Sequence, residues 1–290
     1  MSFQGNRINP SSFSKGQIKY YLILVPLALL YVLPIIYIVV TAFKPMNEIF
    51  VFPPRFTVQN PTLDNFTELG ATLSSGTISF SRYVINSLLS TLLVVIGSVL
   101  ISLMMGYALA KRRFRAAGAL RDINNLAMMF VPVAVTIPRY IILERLGVVN
   151  TFMALVLPLI AMPVGMFLLT QFISDIPDSL LEAARIDGAN EWTILLKIVA
   201  PIVRPALATV GILAFQSAWN ATEPSATFIS NDLLRTMPFY LNALVANQGN
   251  SVAGAGMMAA ATLVMFVPNL IVFILMQKSV LNTMAHSGIK

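Results

Sequence analysis

Residues 178–205 read DSLLEAARIDGANEWTILLKIVAPIVRP, and this run decides the fold. Five of the chain's 12 acidic residues (Asp175, Asp178, Glu182, Asp187 and Glu191) fall in it or just before it. Long apolar segments lie on both sides. A polar, helix-forming island in that place reads as a docking surface on the water side of a membrane protein. Composition agrees: 57% of the 290 residues are hydrophobic and 11% charged, against about one quarter charged in a soluble domain. The chain has no cysteine, which excludes disulfides, thiol nucleophiles and Cys-based metal sites. His286 is the one histidine, and its place in the C-terminal tail reads as solvated, which argues against His-based metal or triad chemistry.

Outward from the island, apolar segments follow one another along the chain. Residues 20–43 carry no charge and are long enough to cross a hydrocarbon core of about 30 Å. A cleaved signal peptide has a shorter apolar core and a small-residue cleavage site, so this first span is expected to be retained. The further spans are expected at 83–110, 123–142, 152–173, 199–219 and 253–277. The connection 44–82, with Pro53-Pro54 and Asn60-Pro61, reads as a loop or a set of short elements outside the bilayer. A tight turn containing Gly147 is expected at 144–151. The sequence therefore predicts an all-α integral membrane protein with six transmembrane helices. Its domain plan is a polar N-terminal tail (1–19), a membrane domain (20–278) whose island loop is 174–197, and a C-terminal tail (279–290).

Six spans put both termini on one side, and Lys and Arg say which. Arg7, Lys15, Lys19, five residues in 111–121, Arg185, Lys197, Lys278 and Lys290 make twelve on the terminal side. Lys44, Arg55, Arg82, Arg145 and Arg235 make five on the other. The positive-inside rule then predicts N-in, C-in, with the island cytoplasmic. The same rule accounts for the net charge of +7 without nucleic acid as a partner.

Within the island, Ser179-Leu-Leu-Glu182 fits a capping box, which predicts an N-cap at Ser179 and a short helix over 180–187. Gly188 suits the left-handed position that ends a helix. Asn190 is expected to cap a second helix leading into span five, bent by Pro201 and Pro205. Two readings of Glu182 stand. It serves its own cap, or it faces an arginine of a partner.

Glu182-Ala183-Ala184, three residues, Gly188, nine residues, Ile198, two residues, Pro201: this spacing resembles the EAA loop of bacterial ATP-binding-cassette importer permeases. The resemblance to carbohydrate-uptake permeases of the maltose type, the binding-protein-dependent inner-membrane components, is closer still. It extends to Ala-Lys-Arg-Arg-Phe at 110–114, Leu-Arg-Thr-Met-Pro at 234–238 and the tail Ser287-Gly288-Ile289-Lys290.

The resemblance implies a type I importer permease fold in the bacterial inner membrane. Its island helix would be a coupling helix seated in a cytoplasmic ATPase dimer, with Glu182, Ala183, Ala184, Asp187 and Gly188 at the contact. It implies no catalytic, cofactor or metal residue in this chain, since ATP and magnesium belong to the ATPase subunits. The absence of a GxxxxGK[ST] loop agrees. It also implies a second permease subunit (a different chain), an extracytoplasmic solute-binding protein and a sugar substrate, with oligosaccharides favoured. Ser287, Gly288, Ile289 and Lys290 are candidates for a tail contact with the ATPase, or form a solvated tail. Asn247, Gln248, Gly249, Asn250 and Ser251 match a loop that reaches the binding protein, or form a plain connector.

Polar residues in apolar spans should face protein or a cavity. Asn86, Ser90, Gln216, Trp219 and Asn220 are on that ground candidates for the substrate path, with Trp219 alternatively an interfacial anchor. A permease for another solute, such as glycerol phosphate, would want cationic groups in the path, and Arg139 and Arg204 are the basic residues inside spans. An ion-coupled secondary transporter would place Asp, Glu or His inside spans, and the six segments contain none.

Overall fold

A computed structural model describes residues 17–53, 55–74, 78–247 and 254–287. The tail before residue 17, Gln248–Ser251 of the candidate loop and Gly288–Lys290 of the candidate tail contact lie outside these residues. The described chain is helical, without strands. Where the sequence suggests one domain, contacts separate two units: 1–69 with 250–263, and 70–249 with 264–290.

Three helices are long and apolar enough to cross a membrane: α1 (Ile18–Ala42), α4 (Phe80–Lys111) and the Ala255–Gln277 part of α15 (Ala255–Ser287). α15 continues past the expected boundary at 278, so 279–287 are helical. Three further pairs of helices reach spanning length only when each is taken together across a bend.

In the first unit, α1 stays exposed along most of its length, as a helix bathed in lipid can. The 44–63 connection is held in place by polar bonds, with the short α2 (Met46–Ile49) within it. Glu48 accepts the Gln59 and Asn60 amides at 3.0 and 2.8 Å. The buried Lys44 donates to the Arg55 carbonyl. Asn65, in α3 (Asp64–Ser74), donates to the carbonyls of Ala42 and Lys44 at 2.9 and 2.8 Å, closing the C-terminus of α1.

The second unit is built on α4. Its buried face is a stripe of small residues at helical spacing: Ser87, Thr91, Val94, Ser98, Ser102 and Gly106. Small side chains let apolar helices approach closely. A Cβ on Gly106 would meet Leu169 Cβ at 3.0 Å, and one on Gly165 would meet Ser102 Oγ at 2.8 Å and Val210 Cγ1 at 3.0 Å.

Two of the expected continuous spans are broken. Span three divides into α5 (Ala117–Met129) and α6 (Thr136–Arg145). Phe130 and Val131 are extended, and Pro132 opens a 3-10 turn. Span four divides into α7 (Met153–Ile160) and α8 (Pro163–Ser174), bent by 42°. The cause is common to both: proline has no N–H and pushes its predecessor out of the helical region. Pro163 leaves the Leu159 carbonyl without its helical donor, and Ser98 Oγ on α4 lies 3.4 Å from that oxygen and 3.1 Å from Ile160 O.

Span five bends as Pro201 and Pro205 predict. A helix from Glu191 passes through a π-helical turn (Ile194–Val199) and breaks at Val203 before α12 (Arg204–Trp219), with Glu191–Ile202 at 85° to Arg204–Thr227. Gly147 and Asn150 both take positive φ in the turn after α6. Asn150 Oδ1 there accepts the Ser230 and Asn231 amides at 3.0 and 2.8 Å, pinning the stretch before the 3-10 turn Asp232–Leu234.

Candidate functional site

The island forms α9 (Asp178–Ile186), one residue pair earlier than the capping box predicts. Pro177 is the N-cap and no side chain caps the helix, so Ser179 and Glu182 do not form the reciprocal box. Proline fits this boundary because it needs no N–H partner there. The other end follows the sequence. Gly188 takes φ +81°. Its N–H bonds the Arg185 carbonyl at 3.1 Å, and the Ala189 N–H reaches back to Ala184 O at 2.9 Å. This pair of bonds satisfies the last carbonyls in a Schellman turn. Asn190 Oδ1 then accepts the Thr193 N–H at 2.8 Å and starts the next helix.

Leu181 and Ala184, three apart on α9, are buried in one cluster with Leu103, Leu169, Ile173 and Ile194. The opposite face is open: Glu182, Ala183, Ile186, Asp187 and Gly188 are all exposed, Ile186 at 86%. Of the two alanines expected at a partner, Ala183 is available and Ala184 is spent on the chain's own core. Glu182 has no hydrogen bond or ion pair among the described residues. Of its two readings, the self-capping one is overturned.

Two polar ties fasten α9 to the end of α4. Lys111 Nζ donates to Ser174 O (3.2 Å), Ile176 O (2.5 Å) and Asp178 Oδ1 (2.8 Å), with its side chain only 6% exposed. It therefore closes the C-terminus of α8 and grips the first residue of α9. Glu191 is the second tie. It accepts from Tyr107 Oη at 2.6 Å and pairs with Arg112 Nη2 at 2.6 Å and Arg185 Nε at 3.4 Å. These donors have an electrostatic consequence. The Lys111 hydrogen bond holds the Asp178 carboxyl below its usual range, and the Tyr107 hydroxyl does the same for Glu191. Between the ties lies a cleft of about 270 Å³, lined by Lys111, Arg112, Arg113, Asp178, Glu182 and Arg185. Sequence reading took Lys111 and Arg112 only as part of a motif and of the basic-residue count, named Glu191 only among the island's acidic residues, and missed Tyr107. Their shared signal is faint: Tyr107 and Lys111 are four apart, on one face of α4.

The candidate path residues fall into two sets. Asn86 is buried and donates to Leu233 O (2.8 Å) and Arg235 O (3.0 Å). Ser90 is buried beside a cavity of about 10 Å³, roughly one water in size. Trp219 is buried, donates from Nε1 to Met265 O at 3.1 Å and stacks on Phe215. All three are engaged within the chain. Gln216 and Asn220 are exposed, and Asn220 exchanges amide bonds with Asn269, at 3.2 Å in the better direction. Asn269 was invisible to sequence reading because it lies in span six, 49 residues from Asn220. Asn247 ends α14 (Met237–Asn247) and Ser287 ends α15. Arg139 is neutralised: Glu223 sits 3.3 Å from it and also accepts from Thr136 at 2.8 Å. Among the described residues, no group of His, Cys, Asp and Glu could hold a metal ion.

Among the described residues the chain is all-helical, with three helices and three bent helix pairs of membrane-crossing length and apolarity, and the short α9 tied to the end of α4. Residues 98–280 match the family described as binding-protein-dependent transport system inner membrane component, and the chain belongs to that family. It is 30% identical over 275 residues to the arabinooligosaccharides transport system permease protein of Halalkalibacterium halodurans, covering 91% of this chain and 93% of that one. It is also 30% identical to the sulfoquinovosyl glycerol transport system permease protein of Agrobacterium fabrum, over 89% of this chain and 88% of the relative. In fold it is similar to a chain of a bacterial ABC transporter involved in importing the acidic polysaccharide alginate. The TM-score is 0.76 at 22% identity, over 93% of this chain and 99% of that chain.

Proposed function

We propose that the chain is a transmembrane permease subunit of an ATP-driven, binding-protein-dependent sugar importer, with oligosaccharides as the favoured substrates. Membership of the inner-membrane component family carries this reading. The sugar class rests on the printed roles of relatives, arabinooligosaccharides and galactooligosaccharides among them. The topology proposed is six spans, N-in and C-in, counting each bent pair once. Residues 1–19 and the end of the chain from 279 are then cytoplasmic, in a bacterial inner membrane.

In this reading α9 is the coupling helix. Closure of a cytoplasmic ATPase dimer around ATP and magnesium moves α9, and the spans tip between inward- and outward-facing states. The chain itself does no chemistry. Glu182, Ala183, Asp187 and Gly188 face the ATPase, where the unpaired Glu182 carboxylate suits a partner's arginine. A second permease chain completes the path, and a solute-binding protein delivers the sugar. The exposed amides of Gln216 and Asn220, with the half-buried Asn269, suit hydroxyl groups. The reading as a permease for an anion such as glycerol phosphate is weakened, because Arg139 is already paired with Glu223.

The test is a Gly188→Pro variant in the purified complex. Proline cannot adopt the positive φ of this turn. ATP hydrolysis stimulated by loaded binding protein is expected to be lost while membrane insertion survives. Unchanged stimulation refutes the coupling role of α9.

A further inference from the structure

A nine-residue helix seated only by Leu181 and Ala184 would pivot when pushed. α9 is held at both ends instead. Asp178, its first residue, is gripped by Lys111 at 2.8 Å. Arg185, in its last turn, meets Glu191 at 3.4 Å, and Glu191 is bound by Tyr107 and Arg112 at 2.6 Å each. Tyr107 and Lys111 are one turn apart on α4, and Arg112 follows directly. One face of one helix end therefore holds both ends of α9.

The far end of α4 is fastened as well. Asn86 donates to Leu233 O and Arg235 O, Ser87 Oγ accepts the Met237 N–H at 2.8 Å, and Arg82 Nε donates to Leu233 O at 3.2 Å. Asn86 and Lys111 are about 37 Å apart along the helix axis at 1.5 Å per residue. The small-residue stripe lets α4 lie close against its neighbours without any side chain in the way.

We propose that α4 is the transmission rod of the transporter, with Glu191, Tyr107, Lys111 and Arg112 as the positioning residues that join it to α9. Displacement of α9 is passed into α4 and delivered to the 231–237 segment at its other end. This inference rests on α9 being the coupling helix, and the experiment separates the two.

The assembled importer, with its ATPase and partner permease, is placed in nanodiscs. Ser230→Cys serves as the reporter, since Ser230 is exposed beside the pinned segment and the chain has no cysteine of its own. Maleimide labelling is timed without nucleotide and with ATP plus vanadate. A difference between the two is expected in the otherwise unaltered chain. Glu191→Arg should abolish that difference while the ATPase still copurifies. The exchanged pair Arg112→Glu with Glu191→Arg should restore it, which a purely structural loss would not allow. Tyr107→Phe, which keeps the ring and removes one bond, should lose part of it. The proposal is overturned if labelling ignores nucleotide in the unaltered chain, or if Glu191→Arg preserves the difference. It is also overturned if the exchanged pair fails to restore it, or if Glu191→Arg sheds the ATPase, since the cluster would then serve docking. Gly188→Pro runs alongside as the independent test of α9: its failure to uncouple would strike the coupling reading on which the rod rests, whereas uncoupling there with the labelling difference preserved in Glu191→Arg would strike the rod alone.

Discussion

Lys111→Met should destabilise the protein far more than removal of its ion-pair partner. Methionine keeps the length of the stem and loses the ammonium. The pair with Asp178 contributes little, because that carboxylate is 74% exposed and solvent screens exposed ion pairs. The bonds to Ser174 O and Ile176 O matter more. They satisfy carbonyls at the C-terminal end of α8 from a side chain only 6% exposed. Hydrogen bonds to a charged group contribute about 1.5–3 kcal/mol each, and a cation at a helix C-terminus adds roughly 0.3–1 kcal/mol. The expected loss is about 3–7 kcal/mol, or an apparent Tm lower by roughly 6–28 °C at about 2–4 °C per kcal/mol. Asp178→Asn should shift the Tm far less, because its carboxylate is open to solvent. Both are read by heating the purified complex and following the soluble fraction by size-exclusion chromatography. A Lys111→Met shift as small as that of Asp178→Asn would refute the assignment of Lys111 as the cap of α8.

Other expectations follow from the same geometry. The Glu191 carboxyl is held below its ordinary 4.5, first by Tyr107 and then by the charges of Arg112 and Arg185. Its contribution is therefore present in full above 4.5 and is lost as pH falls through the lower folded value. The stability gap between the unaltered chain and Glu191→Gln should be constant well above the ordinary 4.5 and shrink as pH falls below it. Gly165→Ala should cost about 1–3 kcal/mol by overpacking, because its Cβ would meet Ser102 and Val210 at 2.8 and 3.0 Å. Gly188→Ala meets nothing within 4 Å, so only the positive φ opposes it, at about 1–2 kcal/mol; thermal unfolding of both variants checks the order. Asn86→Leu leaves the Arg235 carbonyl without its donor and the Leu233 carbonyl with the Arg82 bond alone. Hydrogen exchange should rise at 231–237 while the α8–α9 region stays protected.

Local chemistry was legible along the chain wherever it was written in consecutive residues. The apolar runs, the Gly188 turn, the Asn190 cap and the bend at Pro201 and Pro205 all depend on near neighbours. The start of α9 was misread because two signals competed for it. Ser179 and Glu182 match a capping box, but Pro177 sets the boundary through its own fixed φ and missing N–H. Spans three and four read as continuous because hydropathy does not register a broken hydrogen-bond ladder. Pro132 and Pro163 were the available signals. Asn86 and Trp219 read as path residues because a polar group in an apolar run asks for a partner. Whether that partner is solute or backbone is decided by chain segments 147 and 46 residues away.

By itself the sequence determined that this chain carries several apolar segments of membrane-crossing length, that one polar helix lies between two of them, and that this helix ends at Gly188. Those properties follow from local transfer free energies and from backbone preferences of single residues. The tertiary structure alone decided which carboxylates are bound and which is free. Glu191 and Asp178 are claimed by Tyr107, Arg112 and Lys111 from α4, while Glu182, four residues after Asp178, is left open on the exposed face. Hydrogen bonds act over about 3 Å, and no spacing along the chain shows which distant groups will come that close.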